Sequence, residues 1–171
     1  MLPSLRNLLL QSDAQSVLSQ LGIMRSPSLD LIAELARRIS GHDAACIGVM
    51  DTQWVTPLGL SKCKLEPFRR MIKDRTQNQD YYYSADFAEQ FPASELVNGT
   101  QLNVQSAGFF RLTIAAETIG ALAVYAFDRR DGLDPTKVAA LKKLAYLASE
   151  LIRSKAELKL TLGNVFAMAN R

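Results

Sequence analysis

Residues 109–127 read Phe109-Phe110-Arg111-Leu112-Thr113-Ile114-Ala115, then Ala116-Glu117-Thr118, then Ile119-Gly120-Ala121-Leu122-Ala123-Val124-Tyr125-Ala126-Phe127. Two runs rich in β-branched and aromatic residues flank three residues suited to a turn. That is the spacing of a β-hairpin, with strands expected over 109–115 and 119–127. Alternation puts Phe109, Arg111 and Thr113 on one face. A strand arginine must reach solvent or find a partner, because burying it unpaired is costly. Arg111 therefore either binds a carboxylate or phosphate in a pocket or pairs with a nearby acid such as Asp86.

Upstream of the hairpin, Tyr81-Tyr82-Tyr83-Ser84 reads as a short strand, with Tyr81 and Tyr83 on the same side. Ala44 to Met50 is short, apolar and β-compatible, and Trp54 to Leu58 is its candidate hairpin partner. Pro57 would confine that partner to a sheet edge. Leu65 to Arg75 has helical spacing. So do Leu29, Ile32, Ala33, Leu35, Ala36 and Ile39, a helix opened by Ser28 and closed by Gly41. Leu10, Ala14, Val17, Leu21 and Met24 form one narrow apolar stripe, a helical N-terminal arm.

Downstream, Asp134-Pro135 is an N-cap followed by proline at the first helical position. The spacing then runs on through Leu141, Leu144, Ala148, Leu151, Lys155, Leu158 and Leu162. A helix from Pro135 to Met168 would be about 50 Å long. Its far half cannot be buried against a domain of this size, so it is expected to pair with the same helix of a second chain. Lys155 then places a charge in the apolar seam. The chain divides into an arm over 1–26, a domain over 27–152 and a linking helix over 153–171.

Composition narrows the function. The 171 residues are 48% hydrophobic and 22% charged, which fits one globular domain and excludes disorder and low-complexity classes. A net charge of +3 does not argue for nucleic acid. Two cysteines, Cys46 and Cys63, do not make a secreted disulfide scaffold and suit a reducing, cytoplasmic compartment. The most hydrophobic stretch, Leu112 to Phe127, falls short of the roughly 20 residues of a membrane helix. No signal peptide is evident, and no membrane contact is expected of this chain. The single histidine, His42, excludes a multi-histidine metal site, and no metal or cofactor is expected.

The motifs in this order resemble a GAF domain. Phe109-Phe110 matches the family's aromatic pair, and Ile119-Gly120 with Leu122 and Val124 matches its "I-G-x-L-x-V" strand. Tyr83-Ser84-Ala85-Asp86, followed by Phe91, matches its strand ending in "D-A". Residues 29–39 match the first helix and 44–50 the first strand, so the resemblance covers about 27–152. It implies an α+β fold: a six-stranded antiparallel sheet with the terminal helices on one face. Short helices and loops on the other face would form a small-molecule pocket near Tyr81, Tyr83, Asp86, Phe109 and Arg111. Residues 166–171 resemble the linker that precedes a diguanylate cyclase (GGDEF) domain. The function implied is a sensor that relays a signal through a dimeric helix.

Other chemistry is sparse. Cys63 lies between Lys62 and Lys64, which would favour its thiolate. That permits a thiol-based alternative, an enzyme of the same fold like the free methionine sulfoxide reductases; the other reading is an incidental loop cysteine. Bilin-binding GAF domains carry a histidine after their cysteine, whereas Lys64 stands here. His42 is expected at the surface, and Cys46 in the core. Lys62, Lys64, Arg69, Arg70, Lys73 and Arg75 face only Glu66 and Asp74 across 62–75. That segment is either the rim of an anion pocket or a solvated helix face. No catalytic constellation stands out.

Overall fold

A computed structural model of the chain describes residues 26–49, 79–90 and 104–169. In chain order the elements are α1 (Pro27–Ser40), β1 (Ala44–Val49), β2 (Tyr81–Ser84), α2 (Phe87–Gln90), β3 (Ser106–Ile114), β4 (Glu117–Ala126) and α3 (Pro135–Ala169). The four strands pair antiparallel in the order β1-β4-β3-β2. The architecture is the expected α+β arrangement, but among the described residues the sheet has four strands, not six. The count of six came from the family resemblance; the chain's own β-compatible runs are fewer. The Trp54–Leu58 strand, the 65–75 helix, the N-terminal arm, Cys63 and the basic segment all lie outside the described residues.

The β3–β4 hairpin turns tighter than expected. Ile114 pairs with Glu117, so the loop is two residues, Ala115 and Ala116, both at positive φ (51° and 70°). This is the primed geometry that matches strand twist. The residue taken out of the loop reappears as a bulge. Leu112 pairs with Gly120 and Thr113 with Thr118, leaving Ile119 as the extra residue. Gly120 follows the bulge, and a Cβ there would stand 1.9 Å from the Gly48 carbonyl oxygen of β1. The glycine of the "I-G" motif thus permits close strand approach.

Two helices cover one face. Phe110, Leu112, Ile114, Leu122 and Val124 point at them, together with Ala45, Ile47 and Val49 of β1. Leu29, Ile32, Ala33 and Ala36 of α1 meet Ala145, Ala148, Ile152 and Ala156 of α3 in this layer. Helix α1 starts two residues before the expected Ser28, at an extended Ser26 with Pro27 in its first turn, and ends at Gly41 (φ 73°) as expected. Its Arg37 and Arg38 ion-pair with Glu34 within the helix. The Asp134 cap of α3 holds, with its Oδ1 accepting the Lys137 N–H at 2.9 Å.

Helix α3 has 35 residues and stays helical through Gly163 and Asn164. Its buried stripe is Leu141, Ala145, Ala148, Ile152 and Ala156. Leu144 and Leu151 flank that stripe, while Leu158 and Leu162 are exposed. Lys155 does not stand in an open seam, because its ammonium bonds the Ser26 hydroxyl at the start of α1. At the opposite end Lys137 Nζ reaches the Ser40 carbonyl (3.4 Å), so α1 and α3 run antiparallel. Close approach of α3 to the sheet comes from its own alanines. Ala121 and Ala123 of β4 lie on the other face.

Candidate functional site

The second sheet face is aromatic. Phe109 is fully buried there, with Phe87 of α2 at 6.1 Å, Tyr125 of β4 edge-on at 6.0 Å and Tyr82 of β2 stacked at 6.4 Å between ring centroids. Ala44, Cys46, Ala107, Ala121 and Ala123 pack with these rings in one buried cluster. Small residues around large planar ones suit a wall for an apolar or planar ligand. The Cys46 thiol donates to the Tyr125 hydroxyl at 3.7 Å, consistent with the core position expected of it. Ser84 is buried beside this cluster, and its hydroxyl makes no hydrogen bond to a described residue. It is a polar atom on an otherwise apolar wall.

The residues expected to share a pocket are divided between the faces. Tyr81 pairs with Phe110 and stacks on it at 4.8 Å, on the helix-covered side. Burial there pushes its phenol up to about 12. Tyr83 lies on that side too, with its ring across Gly108, where a Cβ would be 3.1 Å from Tyr83 Cδ2. Tyr82 is the tyrosine that accompanies Phe109. Alternation correctly grouped Tyr81 with Tyr83. Which pair faces the aromatic wall is set by the register of β2 on β3, which no single strand encodes.

Asp86 starts α2, its carbonyl accepting the N–H groups of Glu89 and Gln90, and its carboxylate pairs with Arg129 at 2.8 Å. Arg111 pairs instead with Asp80, Nη2 to Oδ1 at 2.7 Å, and its N–H donates to the Asp80 carbonyl at 3.1 Å. The alternative in which Arg111 finds an acidic neighbour is the one observed, with a different acid.

His42 is buried, not at the surface. Its Nε2 lies 3.2 Å from the Tyr83 hydroxyl and its Nδ1 3.4 Å from the Ser40 carbonyl. A carbonyl only accepts, so Nδ1 carries the proton and Nε2 accepts from Tyr83. Burial holds the imidazole pKa below its usual value and the Tyr83 phenol above its own. The loop position of His42 suggested exposure. The β4–α3 connection closes over that loop, where Arg130 bonds both the Gly41 carbonyl and Asp128. Among the described residues no group of three His, Cys, Asp or Glu could hold a metal ion. None of the described helices is long and apolar enough to cross a membrane.

No family model matches the sequence, and no curated protein matches it. Solved structures do match in shape. The PixJ GAF domain of Thermosynechococcus elongatus, in its blue-light absorbing form, aligns over 87% of this chain and 94% of its own, with a TM-score of 0.59 and 12% identity. The GAF domain of an Acinetobacter phosphoenolpyruvate-protein phosphotransferase aligns over 81% and 89%, with a TM-score of 0.57 and 14% identity. A domain of the putative two-component sensor histidine kinase protein of Sinorhizobium meliloti 1021 aligns over 77% and 93%, with a TM-score of 0.52 and 13% identity. The chain has an α+β fold whose antiparallel sheet is similar to that of GAF domains.

Proposed function

We propose that this chain is a non-enzymatic sensory module. It binds a small molecule or a partner on the aromatic face around Phe109 and Tyr82. Helix α3 relays the change, within a homodimer, to an output domain such as a diguanylate cyclase. The carrying observation is the geometry of α3. Its stripe up to Ala156 packs on β3 and α1, whereas Leu158 and Leu162 beyond it face solvent at 59% and 47% exposure. They stand one turn apart on one side, as a helix–helix seam requires. The fold's occurrence in a sensor kinase and in light-absorbing PixJ supports the sensory reading.

Light scattering at micromolar concentration tests the dimer. Twice the monomer mass is expected, falling to the monomer mass in a Leu158→Lys, Leu162→Lys double variant. A wild-type chain that stays monomeric at high concentration refutes the relay through a paired helix.

A further inference from the structure

A cleft of about 190 Å³ opens at the sheet edge beside α3. It exists because β2 is short. The last β2–β3 pair is Tyr81 with Phe110, so from Leu112 onward β3 has β4 on one side and, among the described residues, no strand on the other. Helix α3 closes that edge with a side chain instead. The Thr113 N–H donates to Ser149 Oγ at 3.0 Å, and the Ser149 hydroxyl donates to the Ala145 carbonyl at 3.0 Å. One wall is Asp80, Arg111 and Thr113; the other is Lys142, Tyr146 and Ser149.

The chemistry of these walls is cationic with one aromatic surface. Arg111 is held at the cleft by its pair with the more exposed Asp80. Lys142, across the gap, makes no ion pair with a described residue. Among the described residues lining the cleft, two cations face one carboxylate. Tyr146 is 68% exposed, and no ring of a described residue stacks on it. The volume corresponds to roughly six waters at about 30 Å³ each. A compact ring acid fits a cleft of that size.

We propose that this cleft binds a small aromatic carboxylate. The carboxylate lies between Arg111 and Lys142, and the ring lies against Tyr146. Arginine and lysine supply charge-assisted hydrogen bonds, and the tyrosine face supplies stacking. A ligand there would touch both β3 and α3, and so bear directly on how the helix sits on the sheet. The site needs only the fold of one chain, so it stands or falls independently of the dimer and of the aromatic-face site.

Benzoate is the probe, titrated into the ¹⁵N-labelled chain and followed by amide chemical shifts. Millimolar binding is expected, with shifts confined to residues 80, 111–113 and 142–149. Lys142→Gln should weaken it about threefold, as an exposed ion pair would. Tyr146→Ala should weaken it by a similar factor, and both exposed positions leave the fold intact. Inorganic phosphate, which has the charge without the ring, should bind more weakly than benzoate. The proposal is overturned if benzoate shifts nothing, if the shifts centre on Tyr82 and Phe109, if neither variant changes the affinity, or if phosphate binds as well as benzoate.

Discussion

Replacing Gly120 with alanine adds one methyl group at the place with least room for it. The new Cβ would sit 1.9 Å from the Gly48 oxygen and 2.8 Å from Val49 Cα, whereas ordinary contact starts at 3.4 Å. Both neighbours are backbone, so no rotamer change relieves the clash. Strand β1 must move about 1.5 Å from β4, which stretches a 2.9 Å hydrogen bond beyond useful length. Losing one or two ladder bonds costs about 1 kcal/mol each. Val49, now 5% exposed, would lose part of the roughly 2 kcal/mol its burial contributes. The sum is about 3 kcal/mol, or a fall in Tm of about 6–12 °C for a chain of this size. Thermal unfolding followed by circular dichroism reads this directly. Gly108→Ala is the internal control. Its neighbours at 3.1 and 3.2 Å are the Tyr83 and Val124 side chains, which can yield by tenths of an ångström. A Gly120→Ala protein melting within about 2 °C of the parent would refute the close-approach argument.

The hairpin turn should be improvable. Ala115 and Ala116 both occupy the left-handed region, so Ala115→Asn with Ala116→Gly should stabilise by about 1–2 kcal/mol, read as a higher urea midpoint at unchanged slope. Ser149→Ala removes the acceptor for the Thr113 N–H and should destabilise by about 1–3 kcal/mol; Ser149→Thr, which keeps the hydroxyl, should recover part of the loss. For His42, the folded pKa lies below the unfolded value of about 6.5, so the unfolded chain takes up the proton first. Stability should be full above that pH and decline as pH falls from about 6.5 toward 5, before carboxylates such as Glu34 and Asp128 begin to titrate. Equal declines in the parent and in His42→Gln over that window would show that the histidine is not responsible.

How much of this was legible beforehand depends on the range of the signal. Caps and periodicity act within a few residues, and they placed α1, β1, β2, the hairpin strands and α3 to within about three residues, the start of β3 being furthest off. Gly41 and Asp134 behave as their local chemistry requires. The hairpin loop was offset by one residue, because the run Ala115-Ala116-Glu117-Thr118 contains no Asn-Gly or Asp-Gly to fix a turn type. The bulge at Ile119 absorbs that offset, and it depends on β4 fitting β1 as well as β3. For the site, Phe109 was placed among aromatics as expected, and its neighbours Phe87 and Tyr125 were not anticipated. They come from separate elements that meet only in the folded sheet.

The tyrosine triplet shows the limit most clearly. Three consecutive tyrosines carry no internal signal for which face each takes, since shifting the strand by one residue exchanges them. The register is decided by the partner strand, and there a single glycine matters. Opposite Tyr83 stands Gly108, the one position on β3 between Ser106 and Phe110 with no side chain on the helix-covered face. Tyr83 lies across that gap and reaches His42, which satisfies both polar groups inside an apolar layer. With the register slipped by one, Tyr82 would take that gap. Tyr81 would then stand opposite Phe109 and Asp80 opposite Phe110, which brings a carboxylate to the apolar helix-covered layer, and the partner of the buried His42 would depend on the new alignment. The aromatic wall and the histidine pair therefore follow from one pairing choice. Alanine at Gly108 asks only small adjustments of Tyr83 and Val124, but a large side chain there should displace the Tyr83 ring and disturb both faces of the sheet together.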